Sequence, residues 1–321
     1  SKDATVVRAA CFDADGNLVG RVITHSYIKA KSDRAALYTV SLTLSPDDFD
    51  ELCRHYTEKL EMPTHIEITN PAGELVISQD GGMRIFGGSS RSLSQKSFKI
   101  IARKTGHFGT ELYEGKGTFR YAFFDGRTVK AGEDAGQVLD RYDSLILRNG
   151  GNDSLLHNSC DPLRASLLRD NAVNNFAAHV TDSLEYACSA FAVVYVNGEY
   201  YGILDMKENM NEDHVKRVFG VSDDDVVVVK SELDTSRGGR FDGEWFFYES
   251  ENADENARKR AFPSCDTRIC GDYKRISAII FERAFGHDGA CTPFADDYER
   301  SQDDSRNGIL SVSTRYLARQ P

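Results

Sequence analysis

Two glycine pairs and two lysines within twenty residues could do phosphate chemistry. The stretch GGMRIFGGSSRSLSQKSFKI spans residues 81–100 and carries Gly87, Gly88, Ser89, Ser90 and Arg91 ahead of Lys96 and Lys99. Glycine lets backbone N–H groups approach an anion that a Cβ would hold off. A lysine on the following strand could then neutralise the phosphate charge. Lys96 and Lys99 are three residues apart, so a strand turns them to opposite faces. The same residues also read as tight hairpin turns with a basic edge that discourages strand pairing. Both readings stand on these residues alone.

Three further places could complete such a site. LRNGGND holds Arg148, Asn149 and Asp153; Asp170 is the only acid inside the helix expected over 161–180; and Glu208 closes an apolar hairpin. An acid on a helix orients the phosphate-binding lysine in a protein kinase, so either lysine is expected within ion-pair reach of Asp170. Asp170 as an exposed helix residue and Glu208 as a connector charge are the plainer alternatives. His157, His179 and His214 share no ligand spacing and read as structural, and Cys265 and Cys270 stand in a C-x4-C pattern that fits no zinc site.

The elements around these residues follow from periodicity. Residues 5–28 alternate apolar and polar about Asp13–Asn17, which predicts a hairpin. Residues 29–35 read as a linker, and Ser45-Pro46 open an amphipathic helix. In 161–180, Asp161 and Pro162 fit a cap and first turn, and Leu168, Ala172, Phe176 and Val180 repeat along one face. FAVVYVNGEYYGILDM predicts a hairpin about Asn197-Gly198. NEDHVKRVFG reads as a short helix and DDDVVVVK as a strand. From about residue 262 the periodicity fades.

Bulk properties exclude some classes. A net charge of -11 argues against a nucleic-acid or anionic-membrane surface. No apolar run approaches the roughly 18 residues of a membrane span, and Ser1-Lys2-Asp3 lead straight into a strand pattern, with no signal peptide read there.

The order of elements is glycine-rich turn, lysine strand, helix, hairpin, connector and small helix, as in a protein-kinase N-terminal lobe and hinge. GGMRIFGGSSRSLSQKSFKIIAR, LILRNGGND, LLRD and VYVNGEYYGILDMKEN together resemble the CotH (spore-coat protein H) kinase family. The resemblance implies an α+β, divergent protein-kinase-like fold, an N-lobe with an incomplete C-lobe. It implies ATP with Mg2+ or Mn2+, and transfer of the γ-phosphate to Ser/Thr of secreted, surface or spore-coat proteins. The protein substrate or surface polymer would be the partner, outside the cell or on the spore coat. Carried over from the resemblance, Lys96 and Asp170 would have the catalytic roles and Gly87, Gly88, Ser89, Ser90, Arg91, Lys99, Arg148 and Glu208 would bind cofactor, with Glu208 at adenine; the metal ligands are unknown. The family's N-x-D-W and W-D-x-D segments are not found: Trp245 has no neighbouring aspartate, and the pairs Asp296-Asp297 and Asp303-Asp304 read as solvated loop. Impaired catalysis is therefore expected, and residues after about 262 are expected not to be the family's own. The alternatives are a non-catalytic nucleotide- or partner-binding fragment and a surface adhesion module. The first hairpin resembles the last strands of a chitobiase/hexosaminidase C-terminal Ig-like domain. The expected division is an Ig-like remnant over 1–30, the kinase-like domain over 36–235 and a divergent region over 236–321.

Overall fold

The computed structural model describes residues 3–29, 36–110, 112–154, 156, 165–180, 185–221, 230–233 and 245–248. In chain order the strands and helices are β1 (Ala4–Phe12), β2 (Leu18–Ile28), β3 (Tyr38–Thr43), α1 (Pro46–Arg54), β4 (Met62–Thr69), β5 (Leu75–Phe86) and β6 (Ser97–Ala102). There follow β7 (Phe119–Arg120), β8 (Arg141–Tyr142), β9 (Ser144–Arg148), α2 (Arg169–Val180), β10 (Ser189–Val196), β11 (Glu199–Glu208), α3 (Glu212–Phe219), β12 (Lys230–Leu233) and β13 (Trp245–Tyr248). The mixed α+β composition is as expected. A closed barrel in the order β10-β11-β9-β6-β5-β4-β3 is not something the sequence announced.

The barrel forms because period-2 alternation sends one side of each strand inward. Val40, Leu42, Ile66, Ile68, Met83, Phe98, Ile100, Leu145, Leu147, Leu204 and Met206 fill its interior, each essentially without solvent exposure. Neighbouring strands pair antiparallel, except that β3 and β10 close the ring in parallel, with Tyr38 opposite Ala192. The β1–β2 hairpin lies against the outside of this ring. Glu67 of β4 accepts from Ser26 N (2.7 Å) and lies 2.6 Å from His25 Nδ1, and Ala4 is buried with Val193 and Tyr195.

Gly81 and Gly82 are not a hairpin turn. They sit inside β5, where pairing with β6 begins opposite Ala102 and Ile101. A Cβ on Gly81 would lie 2.4 Å from the Ile101 carbonyl oxygen, and one on Gly82 2.0 Å from Glu61 Oε1. Gly81 is there for close approach of the β6 backbone, and Gly82 makes room for the Glu61 side chain. Gly81→Ala is expected to cost about 1–3 kcal/mol, as overpacking does, read as a fall in the urea midpoint. A variant as stable as the parent would refute the close approach.

The helix expected over 161–180 is shorter and faces the other way. Residues 161–164, with the expected cap, lie outside the described residues; Leu167 is left-handed (φ 61), and α2 starts only at Arg169. The N-terminal acceptor comes from elsewhere: Asp153 takes hydrogen bonds from Ser166 N, Ser166 Oγ and Arg169 N (3.1, 2.7 and 3.2 Å). The face expected to be core is open, with Phe176 68% and Leu168 49% exposed, while Asn171 is buried. Polar contacts to β10 and β11 outweigh the apolar stripe in setting the helix's rotation.

Candidate functional site

Strand alternation puts Leu204 and Met206 of β11 in the barrel core, so Asp205 and Lys207 point outward. On β9, Leu147 is inside and Arg148 outside, directly opposite Asp205. α2 lies against this face. Asn171 donates to Asp205 Oδ1 (3.1 Å) and accepts from Ser189 Oγ of β10. Asp170, the second residue of α2, accepts from Lys207 Nζ at 2.5 Å, and Arg148 Nε stands 3.5 Å from the same carboxylate oxygen. Lys207 is 9% exposed, Arg148 33% and Asp170 36%, so two cations converge on one half-open acid.

The turn after β9 is built to hold Arg148. Asn149 Oδ1 accepts from Ser97 Oγ and Gly151 N (2.8 and 3.0 Å), and its Nδ2 donates to Gln95 O (2.5 Å). Gly151 has φ 58, a left-handed conformation that favours glycine, and a Cβ there would press on Arg148 Nη2 at 2.7 Å. Arg148 Nε is buried and has no hydrogen-bond partner. It faces the Asp170 carboxylate at 3.5 Å, and a third of the Arg148 side chain stays open to solvent.

Electrostatics separate the two acids. Burial pushes the Asp170 carboxyl up, but the adjoining Lys207 and Arg148 outweigh it and hold it below the usual range. Asp205 goes the other way: burial raises it to about 6, against the pull of Lys207 and with a further push from the Asp170 charge. The folded state therefore holds the Asp205 proton more tightly than the unfolded chain, and this acid's contribution to stability falls as pH rises from about 4 to about 6. Asp205→Asn is expected to abolish that slope and to stabilise the protein at pH 8 by on the order of 1–2 kcal/mol. Denaturant titrations at pH 4, 6 and 8 check it; an unchanged pH profile would exclude the buried carboxylate as its source.

The residues expected to form the site are only partly brought together. Arg148 and Asp170 are. Lys96 is not: it is 7% exposed, its Nζ donates to Arg91 O (2.6 Å), and it lies 4.4 Å over the Tyr56 ring. The expected Lys96–Asp170 pair does not form, because Lys207 occupies the acid and Lys96 holds the loop behind it. Burial also lowers the Lys96 ammonium pKa. Lys99 is half-buried on the outer face, beside Ile146, with Lys207 on the next strand. Gly87 (φ 117), Gly88, Ser89, Ser90 and Arg91 do form a tight turn, closed by Arg91 N on Gly88 O (3.1 Å), and Ser89–Ser92 lies beside Gly151–Asp153.

Glu208 does not meet an open adenine site. It is 2% exposed, with Oε1 bonded to Arg127 Nε (3.0 Å) and Oε2 to Cys188 N (2.9 Å). Arg127 also donates to Glu185, which lies 2.9 Å from His214 Nε2 and 2.7 Å from Lys130 Nζ. A carboxylate fixed on both oxygens is a structural part of the connector. A small cavity of about 20 Å³ touches Glu208, Asn209 and His214, too small for a base. A larger one, about 90 Å³, lies by the hairpin at Arg8, His65 and Lys104, away from Asp170. Among the described residues no three His, Cys, Asp or Glu side chains gather to hold a metal.

The family model of the CotH kinase protein matches residues 83–282. The chain belongs to the CotH kinase family. The match takes in the glycine turn, β9, α2 and β11, so every residue of the Arg148–Asp170–Lys207 cluster lies inside the CotH region. It also runs twenty residues past 262, so the change of pattern there does not mark the end of the CotH segment. None of the curated proteins matches the chain. Sequence reasoning on this CotH chain missed Lys207, Asp205, Asn171 and Ser189. The alternation of Leu204, Asp205, Met206 and Lys207 was the available signal, since two polar residues two apart on a core strand must share its outer face.

Proposed function

We propose that this CotH-family chain binds ATP with the triphosphate on Arg148 and Lys207, oriented by Asp170, beside the Gly87–Ser92 turn. The observation that carries the reading is the convergence of a strand guanidinium, a strand ammonium and a helix carboxylate, with the guanidinium side chain one-third exposed. Protein kinases use a strand lysine paired with a helix acid at this step; arginine and aspartate stand in here, with Lys207 added from the strand beside it. Strand order supports it too: β5 and β6 flank the glycine turn, β9 is next in the sheet, and α2 leads into β10 and β11.

The phosphoryl acceptor is a Ser or Thr hydroxyl of a secreted, cell-surface or spore-coat protein. Arg148 and Lys207 offer two cations to the phosphates, and the described residues hold no cluster of metal ligands; a bound divalent ion would neutralise β- and γ-phosphate charge. Arg148 and Lys207 would hold the ground-state phosphates, which by itself does not lower the barrier. We therefore expect binding of ATP with phosphoryl transfer slower than a kinase-like rate of about 1–100 per second.

The experiment is incubation with labelled ATP, Mg2+ or Mn2+ and a serine-rich acceptor. Retention of ATP that is lost in Arg148→Met supports the site. Absence of ATP binding at millimolar concentration would sink it. Turnover at a kinase rate, abolished by Asp170→Ala, would show that the reaction is not impaired. No described helix is long and apolar enough to cross a membrane.

A further inference from the structure

On the outer face of β4 and β5, away from the Asp170 cluster, three side chains stand in relay. Asp80 Oδ1 is 2.8 Å from His65 Nδ1, and His65 Nε2 is 3.5 Å from Ser78 Oγ. The second oxygen of Asp80 accepts from Glu114 N at 2.6 Å, which fixes the carboxylate. His65 and Asp80 side chains are 11% and 14% exposed, whereas Ser78 is open to solvent. With Nδ1–H directed at Asp80, Nε2 is left as the acceptor for the serine proton. A nucleophile, a base within loose reach and a third group orienting the base are the signature of an activated serine.

A developing oxyanion also needs a donor. β5 pairs with β6 only from Gly81 onward, so, among the described residues, 75–80 have no strand partner on that side. Asp80 N donates to Glu114 O (2.8 Å), away from β4. By the two-residue repeat of a strand, Ser78 N–H points to the same open edge. The nucleophile's own N–H is one of the oxyanion donors in serine proteases.

We propose that Ser78 is a nucleophile activated by His65 and Asp80, acylated by small activated esters. Ser78 Oγ bonds to the acyl carbon while its proton passes to His65 Nε2. The ester C–O bond then breaks, and the leaving alcohol takes the proton from His65. Water reverses the sequence and frees the acid. A single backbone donor stabilises the oxyanion weakly in both half-reactions, so turnover is slow; the activated leaving group makes acylation the faster of the two, and the acyl-serine accumulates. Asp80 is the positioning residue.

The test uses the full chain with p-nitrophenyl acetate and a fluorophosphonate probe, with peptide mass spectrometry locating the adduct. We expect a burst near one equivalent and modification of Ser78, both absent from Ser78→Ala. Labelling should slow about 100-fold in His65→Gln, and about tenfold or more in Asp80→Asn. Imidazole should restore part of the rate in His65→Gly, which a merely structural histidine would not show. Native protein that labels no faster at Ser78 than urea-unfolded protein overturns the proposal, and so does a wild-type rate in a folded His65→Gln. The native-versus-unfolded comparison needs no variant, so a misfolded substitution leaves the proposal exposed to refutation.

Discussion

Arg127→Leu should lower the unfolding free energy by on the order of 3–5 kcal/mol, the loss seen when one member of a buried ion network is removed. Arg127, Glu185 and Glu208 side chains are each 1% exposed, and His214 is 4% exposed. Without the guanidinium, two carboxylates stay behind in a dry site, with His214 as a hydrogen-bond partner and Lys130 as the remaining lysine. That is a large part of the 5–15 kcal/mol by which a domain is stable. The urea midpoint should drop by roughly 1–3 M. The exposed Arg21–Glu114 pair is the control, and Arg21→Ala should cost under about 1 kcal/mol. If the two substitutions cost the same, the network is not what holds the connector after β11. The pH dependence has a definite sign. Burial raises the Glu185 carboxyl, but the His214 hydrogen bond and the Arg127 charge outweigh it and hold it well below its ordinary value. Its contribution is therefore present above the ordinary carboxylate range and is lost on acidification through the lowered value, opposite to Asp205.

Arg148→Met should weaken ATP binding by about 10- to 100-fold, the 1.5–3 kcal/mol of a charge-assisted hydrogen bond. Lys207→Met should weaken it too, and should free Asp170 to pair with Arg148 alone. Lys96→Met should change the affinity by less than about threefold, because its ammonium is occupied by Arg91 O and the Tyr56 ring. Calorimetric titration of the three variants decides between the two lysines. A loss at Lys96 with none at Arg148 would return the phosphates to the glycine-turn lysine and refute the cluster.

The contrast between these cations shows what the sequence could carry. The strands around Val40, Ile66, Phe98 and Leu204 follow from alternation, and the Asn197-Gly198 hairpin from its turn, whereas the strand around Leu145 was not read from the sequence. Arg148 and Asp170 could be picked out because they sit in short polar motifs. Lys96 also looked right, yet whether it faces a helix or a loop depends on the path of residues 87–95. That path is set by tertiary bonds such as Lys96 Nζ to Arg91 O. The rotation of α2 was misread for a related reason: hydrophobic period favours burying Phe176, while Asn171 and Asp170 find partners on β10 and β11 that no local pattern reveals. Barrel closure was equally hidden, since a parallel contact between distant strands leaves no local trace.

That closure has a kinetic consequence. Tyr38 of β3 meets Ala192 of β10, so the last seam of the ring joins segments far apart in the chain. Contacts of high sequence separation are entropically costly to close and slow folding. During synthesis β3, β4, β5 and β6 can pair in turn, but the free edge of β3 waits until β10 and β11 have left the ribosome. Until then that edge is an unpaired row of N–H and C=O groups open to other chains. Nascent chains halted just before Ser189 should therefore depend on a chaperone, and those halted well past Glu208 should not.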